Sequence, residues 1–224
     1  MNCKQELVQL LQDIGPENIW RPVYDEHGQM LAGGHEDMRS TAPDDLTAVE
    51  YQGRCVLDLG CNLGMYSFLA KRQGAGSVTG MDSDPMAIRG CELLAKLYGL
   101  ENLRFVCADF INHAGDRTYD IVQLINFIGR KSLVKGIQPI LDVCRRSARE
   151  FLVLSVRCRY PIRSGLGVDP AYMEKKYGKK YVEGELFDAA TFIQDYLDVP
   201  YAQLSPDYED STLKRSFLMQ FSPS

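Results

Sequence analysis

The sequence predicts a doubly wound α/β fold on a mostly parallel sheet of seven strands, closed by an antiparallel C-terminal hairpin. Three observations carry this expectation. Five short apolar runs alternate with amphipathic stretches between residues 54 and 156, the pattern of βαβ units whose helices cover both faces of a sheet. One of these runs, Cys55-Val-Leu-Asp58-Leu, breaks at Gly60-Cys61-Asn62-Leu-Gly64 and passes at once into a helical pattern at Met65. Finally, residues 199–204 and 214–221 alternate well enough to form a terminal hairpin.

Taken in order, residues 4–14 pattern as a short helix with Leu7, Leu11 and Ile14 on one face, stopped by Gly15-Pro16. Residues 16–50 read as irregular, with a short hairpin turning near residues 26–28 and a polar, loop-like stretch from 33 to 45. Residues 54–59 form the first strand of the core and 65–73 its helix, followed by a strand at 77–81. Asp84-Pro85 opens the next helix, since Asp is a good N-cap and Pro suits the first helical position. Its inward stripe is Ala87, Cys91, Leu94, Ala95 and Tyr98, and Gly99 ends it. Strands follow at 103–108 and 120–125, a helix at 133–149 and a fifth strand at 151–156. Residues 157–180, rich in Gly, Pro, Tyr and basic side chains, show no long apolar period. A helix at 188–197 precedes the terminal hairpin.

The strand-to-helix turn is the main chemical signal. Glycines there allow a ligand close to the main chain, and the helix start offers unpaired N–H groups. A dinucleotide site wants Gly-x-Gly-x-x-Gly with a pyrophosphate at the helix end. Here an acid, Asp58, stands before the first glycine, where it repels a pyrophosphate and suits an ammonium. The ligand indicated is a nucleoside carrying an amino group.

Asp58-x-Gly60-x-Asn62-x-Gly64 resembles the first motif of the class I S-adenosylmethionine (SAM) dependent methyltransferases, a Rossmann-like family, with Asn62 replacing the middle glycine. Three further segments resemble that family in the right order, and together the four cover about residues 50–156. Ser77-Val-Thr-Gly-Met-Asp82 places an acid 22 positions after Gly60, matching the spacing of a ribose-binding acid, and Ser83 follows it. Leu103-Arg-Phe-Val-Cys-Ala-Asp109-Phe110 resembles the adenine-recognising segment, which implies that Asp109 takes the adenine amino group and the Phe110 N–H a ring nitrogen. Tyr119-Asp120-Ile-Val-Gln-Leu-Ile125 resembles the strand that floors the methionine moiety, with Asn126 after it. The resemblance thus implies a cofactor set of Asp58, Gly60, Cys61, Asn62, Gly64, Asp82, Ser83, Asp109, Phe110 and Asn126. It also implies SAM as cofactor, S-adenosylhomocysteine (SAH) as product, and the seven-stranded methyltransferase sheet with its antiparallel closing strand.

No catalytic side chain is assigned. Methyl transfer from a sulfonium is an in-line displacement with an excellent leaving group, so alignment supplies much of the acceleration, and a base is needed only where the acceptor must lose a proton first. After the fourth strand the chain reads Asn126-Phe127-Ile-Gly129-Arg130, without the Asn/Asp-Pro-Pro-aromatic element of adenine amino methylators or the Pro-Cys of cytosine C5 enzymes. Phe127, Arg157 and Arg159 are candidate substrate contacts. The two arginines leave the fifth strand at the edge where open α/β sheets bind ligands, and they suit an anionic acceptor or salt bridges to nearby acids. Lys175, Lys176, Lys179 and Lys180, with Tyr172, Tyr177 and Tyr181, read either as a phosphate strip with stacking rings or as a solvated helix face with tyrosines packed beneath.

The composition is globular, with 45% hydrophobic and 25% charged residues, and a net charge of −5 exerts no global pull on nucleic acid or anionic membrane. Seven scattered cysteines without a Cys-x-x-Cys read as free thiols of a reducing cytoplasm. His27, His35 and His113 are far apart and not at metal-ligand spacing, so no metal is expected. No signal peptide or membrane-spanning run is visible, and the expectation is a soluble, cytoplasmic protein. Residues 1–49 are read as an N-terminal helix and extension or lid. Residues 50–224 are read as the SAM-binding methyltransferase domain, with a substrate-side insertion at about 157–185. The leading function is methyl transfer to an O or N atom of a small molecule. An RNA (tRNA) acceptor is the second reading, because the segment 53–64 resembles bacterial methyltransferases related to wobble-uridine tRNA modifiers. A non-catalytic SAM-binding regulatory module and an NAD-dependent oxidoreductase are the alternatives of other classes.

Overall fold

The computed structural model describes residues 2–34, 43–113, 119–206, 209–210 and 213–221. His35 lies outside these residues. Contacts divide the chain into two compact units, one formed by 1–38 and 50–113, the other by 39–49 and 114–224.

The first unit begins with α1 (Cys3–Ile14), capped by Asn2, whose side chain accepts from the Gln5 N–H while Gln5 reaches back to the Asn2 N–H. This is a reciprocal box that satisfies two otherwise unpaired donors. The hairpin expected near residues 26–28 is present as β1 (Val23–Tyr24) and β2 (Met30–Ala32). The Asp25 carboxylate accepts from the His27 and Gln29 N–H groups across its turn. The chain continues through β3 (Cys55–Leu59), α2 (Met65–Arg72), β4 (Ser77–Asp82), α3 (Pro85–Leu97), β5 (Leu103–Cys107) and the single turn α4 (Phe110–His113). β3 pairs parallel with β4, and β4 with β5. Asp84 caps α3, accepting from the Met86 and Ala87 N–H groups at 2.8 and 3.4 Å. Of the inward stripe expected on α3, Ala87, Cys91 and Leu94 are buried and Ala95 and Tyr98 half-buried, while Ile88, Gly90 and Leu93 are buried as well. The reason is a second layer. Leu7, Leu11 and Ile14 of α1 pack with Leu93 and Leu94, so α3 is covered by α1 as well as by the sheet.

The second unit holds β6 (Tyr119–Leu124), α5 (Arg130–Lys135), α6 (Gln138–Ser147) and β7 (Ala148–Arg157). The single helix expected over 133–149 is two helices, because Gly136 at φ 115° leaves the right-handed region and ends α5. Residues 157–180, which show no long apolar period in the sequence, carry regular elements, as does the stretch that leads from them to residue 188. β8 (Arg159–Pro161), α7 (Pro170–Tyr177), β9 (Val182–Glu183) and β10 (Leu186–Asp188) follow, and the strands form a three-stranded antiparallel sheet in the order β8-β10-β9. Next come α8 (Ala189–Leu197), capped by Asp188, and the hairpin of β11 (Tyr201–Gln203) and β12 (Lys214–Gln220).

The main sheet has seven strands in the order β11-β12-β7-β6-β3-β4-β5. β12 runs antiparallel to β7 over seven residue pairs, so the doubly wound, mostly parallel sheet with an antiparallel C-terminal hairpin is as expected. Leu152, Val153 and Leu154 of β7 are fully buried, as a central strand covered on both faces requires. No helix among the described residues is long and apolar enough to cross a membrane.

Candidate functional site

β3 ends in a turn in which every second residue has positive φ. Gly60, Asn62 and Gly64 stand at φ 70°, 47° and 78°. Asn is the non-glycine residue that tolerates this region best, which explains how it replaces a glycine at the middle position. The turn is tied to the neighbouring strand: the Gly60 and Cys61 N–H groups donate to the Met81 carbonyl at 2.8 and 3.1 Å. A side chain at Gly64 would bring its Cβ within 2.9 Å of Phe68 Cε2 and 3.1 Å of Cys91 Sγ. Gly64 is itself the N-cap of α2 and supplies no side-chain acceptor, so first-turn N–H groups of α2 remain for a ligand.

Two acids flank this turn. Asp58, near the end of β3, is 2% exposed, and one carboxylate oxygen accepts from the Ser67 hydroxyl at 2.6 Å. Burial pushes its pKa up to about 6, opposed by the Ser67 hydroxyl and reinforced by the Asp82 charge. Asp82, at the end of β4, is half-buried. Its oxygens accept from the Asn62 N–H at 2.8 Å and the Asp84 N–H at 3.0 Å, so it holds the turn from the adjacent strand. A carboxylate has about four lone-pair positions, and two are left. Ser83, beside it, is exposed. Asp109 is also exposed and caps α4, accepting from the Ile111 N–H at 3.0 Å and from Asn112 Nδ2 at 2.8 Å; Phe110 is buried. Cys61 is buried beside Cys91 and Ile88, packed under the turn. A hydrogen bond with Cys91 and burial both raise its thiol pKa, the environment of an inert thiol.

The first unit thus brings together Asp58, Gly60, Cys61, Asn62, Gly64, Asp82 and Ser83 around one turn, with Asp109 and Phe110 after the next strand. Sequence reasoning missed Ser67. Its signal was a hydroxyl on the stripe Leu63, Ser67, Ala70, all buried. A polar side chain fully buried on an apolar helix face needs a partner, and Asp58 is that partner.

In the second unit Asn126 follows β6 with φ 58°, and its N–H donates to Ser155 Oγ at 2.7 Å. Phe127 is 38% exposed. Arg157 ends β7, half-buried and opposite Lys214 in register. Arg159 is engaged by Glu183 at 3.2 Å and Asp188 at 3.8 Å, and Arg163 by Asp169 at 2.7 Å and Glu185 at 3.0 Å. The lysine–tyrosine cluster is largely structural. Tyr177 and Tyr181 are buried and donate to the Leu133 carbonyl and to Asp195, Lys180 pairs with Asp195 at 2.8 Å, and Lys176 donates to the Lys135 carbonyl. Among the described residues no group of His, Cys, Asp or Glu is arranged to hold a metal ion.

Comparison with known proteins agrees with this geometry. Residues 56–147 match the methyltransferase domain family. The chain is 27% identical over 126 residues to the ribosomal protein L11 methyltransferase of Phocaeicola vulgatus, covering 56% of this chain and 44% of that one. It is 56% identical over 36 residues to the enzyme of the same name from Burkholderia thailandensis, covering 16% and 12%. The chain therefore spans less than half the length of these curated relatives. Among solved structures it resembles the N-terminal domain of EvdMO1 with SAH bound, with a TM-score of 0.67, 17% identity, and coverage of 98% and 97%. It also resembles a putative SAM-dependent methyltransferase from Streptococcus mutans, with a TM-score of 0.51, 14% identity, and coverage of 80% and 47%. The fold is that of the class I methyltransferases. The matched family and these relatives carry methyltransferase names, the class expected from the sequence.

Proposed function

We propose that this chain catalyses SAM-dependent methyl transfer to an O or N atom of a small molecule. The observation that carries the reading is the left-handed turn between two acids, with Asp58 buried behind it. Burial penalises the Asp58 anion, and an ammonium would restore its ionised form; the methionine amino group of SAM is such a partner. Asp82 has the lone pairs to accept from two ribose hydroxyls while it holds the Asn62 N–H. Ser83, Asp109 and Phe110 serve the adenine side and the turn residues Gly60, Cys61, Asn62 and Gly64 let the donor approach the main chain; Asn126 is a further cofactor residue implied by the sequence. When bound, SAM supplies an electrophilic methyl group on a sulfonium. The protein's own task is to orient donor and acceptor and to exclude water.

Residues 1–49 and the segment at about 157–185 are assigned to acceptor selection, with Phe127 and Arg157 as contacts. Arg159, balanced by Glu183 and Asp188, shapes that segment and retains donors for an anionic group. The commitment of Lys176, Lys180, Tyr177 and Tyr181 to bonds within the chain favours a small acceptor over RNA. The relatives named ribosomal protein L11 methyltransferase support a second reading, a protein acceptor. Incubation with methyl-labelled SAM and a cell extract split into small-molecule, RNA and protein fractions tests all three. Label in the small-molecule fraction is the expected result. Label confined to RNA or protein replaces the acceptor, and SAH binding without label in any fraction makes the chain a non-catalytic SAM-binding module.

A further inference from the structure

The N-terminal hairpin, α2 and α3 line a cleft of about 490 Å³, within the volume range of small-molecule sites. Its floor is apolar: Leu63, Phe68 and Leu94 are buried and Met65 is half-buried. Two guanidinium groups, Arg21 and Arg72, line the same cleft. Arg21 Nη2 contacts the Tyr66 hydroxyl at 3.3 Å, and the Arg72 guanidinium lies 4.9 Å from the centre of the Tyr98 ring. Neither is ion-paired with a carboxylate among the described residues.

Two acids, Asp25 and Glu26, also line the cleft, and they decide the sign of its field. Asp25 is buried and already matched: Lys4 Nζ lies 2.6 Å away, and this hydrogen bond holds the carboxyl down at about 2. Glu26 lies 3.7 Å from His27 Nε2 and pairs with no Lys or Arg among the described residues. Lys4, Arg21 and Arg72 thus stand against Asp25 and Glu26, leaving one net positive charge at the rim of an apolar floor.

We propose that this cleft binds an amphipathic organic anion, with a carboxylate or phosphate-monoester head on Arg21 and Arg72 and an apolar body on Leu63, Met65 and Phe68. Guanidinium forks suit both head groups, and a mostly apolar cavity with a few convergent polar groups is the usual form of a small-ligand site. None of Asp58, Asp82 and Asp109 lines the cleft, although Leu63 and Met65 flank Gly64 of the turn, and the binding test needs no SAM.

The chain has one tryptophan, Trp20, 62% exposed and adjacent to Arg21, so its fluorescence reports on the cleft. The full chain is titrated with octanoate, phenyl phosphate, octanol and octylamine. Saturable change with octanoate or phenyl phosphate, weakened by added salt, is expected, and the tighter of the two identifies the head group. Arg72→Gln and Arg21→Gln should each weaken binding about tenfold, the size expected for one charge-assisted hydrogen bond. Glu26→Gln should tighten it several-fold by removing the opposing charge. Because these side chains are at least partly exposed, circular dichroism of the variants should match the parent. The proposal is overturned if neither anion saturates, if octanol or octylamine binds as tightly as the anions, or if the arginine and glutamate variants shift affinity in the same direction.

Discussion

A carboxyl group shielded from water, as Asp58 is, changes charge at a pH set by its surroundings. Its folded pKa, about 6, lies above the ordinary value of 3.8. The folded chain therefore holds an extra proton between about pH 4 and 6, and that contribution to stability is lost as pH rises through 6. Binding of an ammonium needs the ionised form, so affinity for SAM should fall as pH is lowered through 6, and Asp58→Asn should flatten that dependence. Calorimetric titration at pH 5, 6 and 7.5 measures both. Asp82→Ala should weaken SAM binding at least tenfold, since bonds from hydroxyls to a charged acceptor are worth about 1.5–3 kcal/mol each. Part of the loss will come from the turn, because Asp82 also holds the Asn62 N–H; unchanged affinity would remove Asp82 from the ribose role. At this scale the placement of the acids and glycines around the turn was legible in the sequence, because it follows from their positions at the ends of two adjacent strands. Ser67 and the partners of Arg159 were not. They are set by which side chains meet across elements, and spacing along the chain does not encode that.

Single elements carry their own tests. Gly64→Ala places a Cβ in left-handed backbone and within 2.9 Å of a ring carbon, with an expected cost of about 2–3 kcal/mol. Thermal unfolding should show a drop of roughly 4–12 °C. Asp84→Ala removes the N-cap of α3 and should cost about 1 kcal/mol, or roughly 2–4 °C, with normal circular dichroism. The starts of elements were well marked where a cap and a proline coincide, as at Asp84-Pro85. The same pair recurs at Asp169-Pro170, where Asp169 accepts from the Ala171 N–H at 2.9 Å. There the helix was legible only as one of two readings of the lysine–tyrosine cluster, and its bounds were not, because it runs only eight residues and buries only Met173 and Tyr177, too little for a period to show. Conversely, the apolar period across 133–149 hid a break, because Gly136 interrupts the backbone without interrupting the pattern of buried side chains.

For the molecule as a whole, the kind of sheet was legible, because apolar runs separated by helical stretches require parallel strands covered on both faces and the closing hairpin adds an antiparallel edge. The order within 157–188 was not, since its short strands are defined by pairing with one another. SAH at 100 times its dissociation constant should stabilise the fold by about 2.7 kcal/mol, or roughly 5–10 °C in melting temperature; no shift would remove the cofactor assignment. The seven free cysteines offer a measure of how the molecule opens. Cys107 is exposed, Cys61 and Cys91 lie under the glycine turn, and Cys144 is fully buried on α6, its thiol pushed up to about 12 by burial. A thiol reagent applied to the native protein should therefore modify Cys107 at once, Cys61 and Cys91 at the rate at which the turn lifts, and Cys144 only when the fold is lost. Mass spectrometry of peptides over time would resolve these as three separate clocks, and SAH should slow the second and, by stabilising the whole fold, the third.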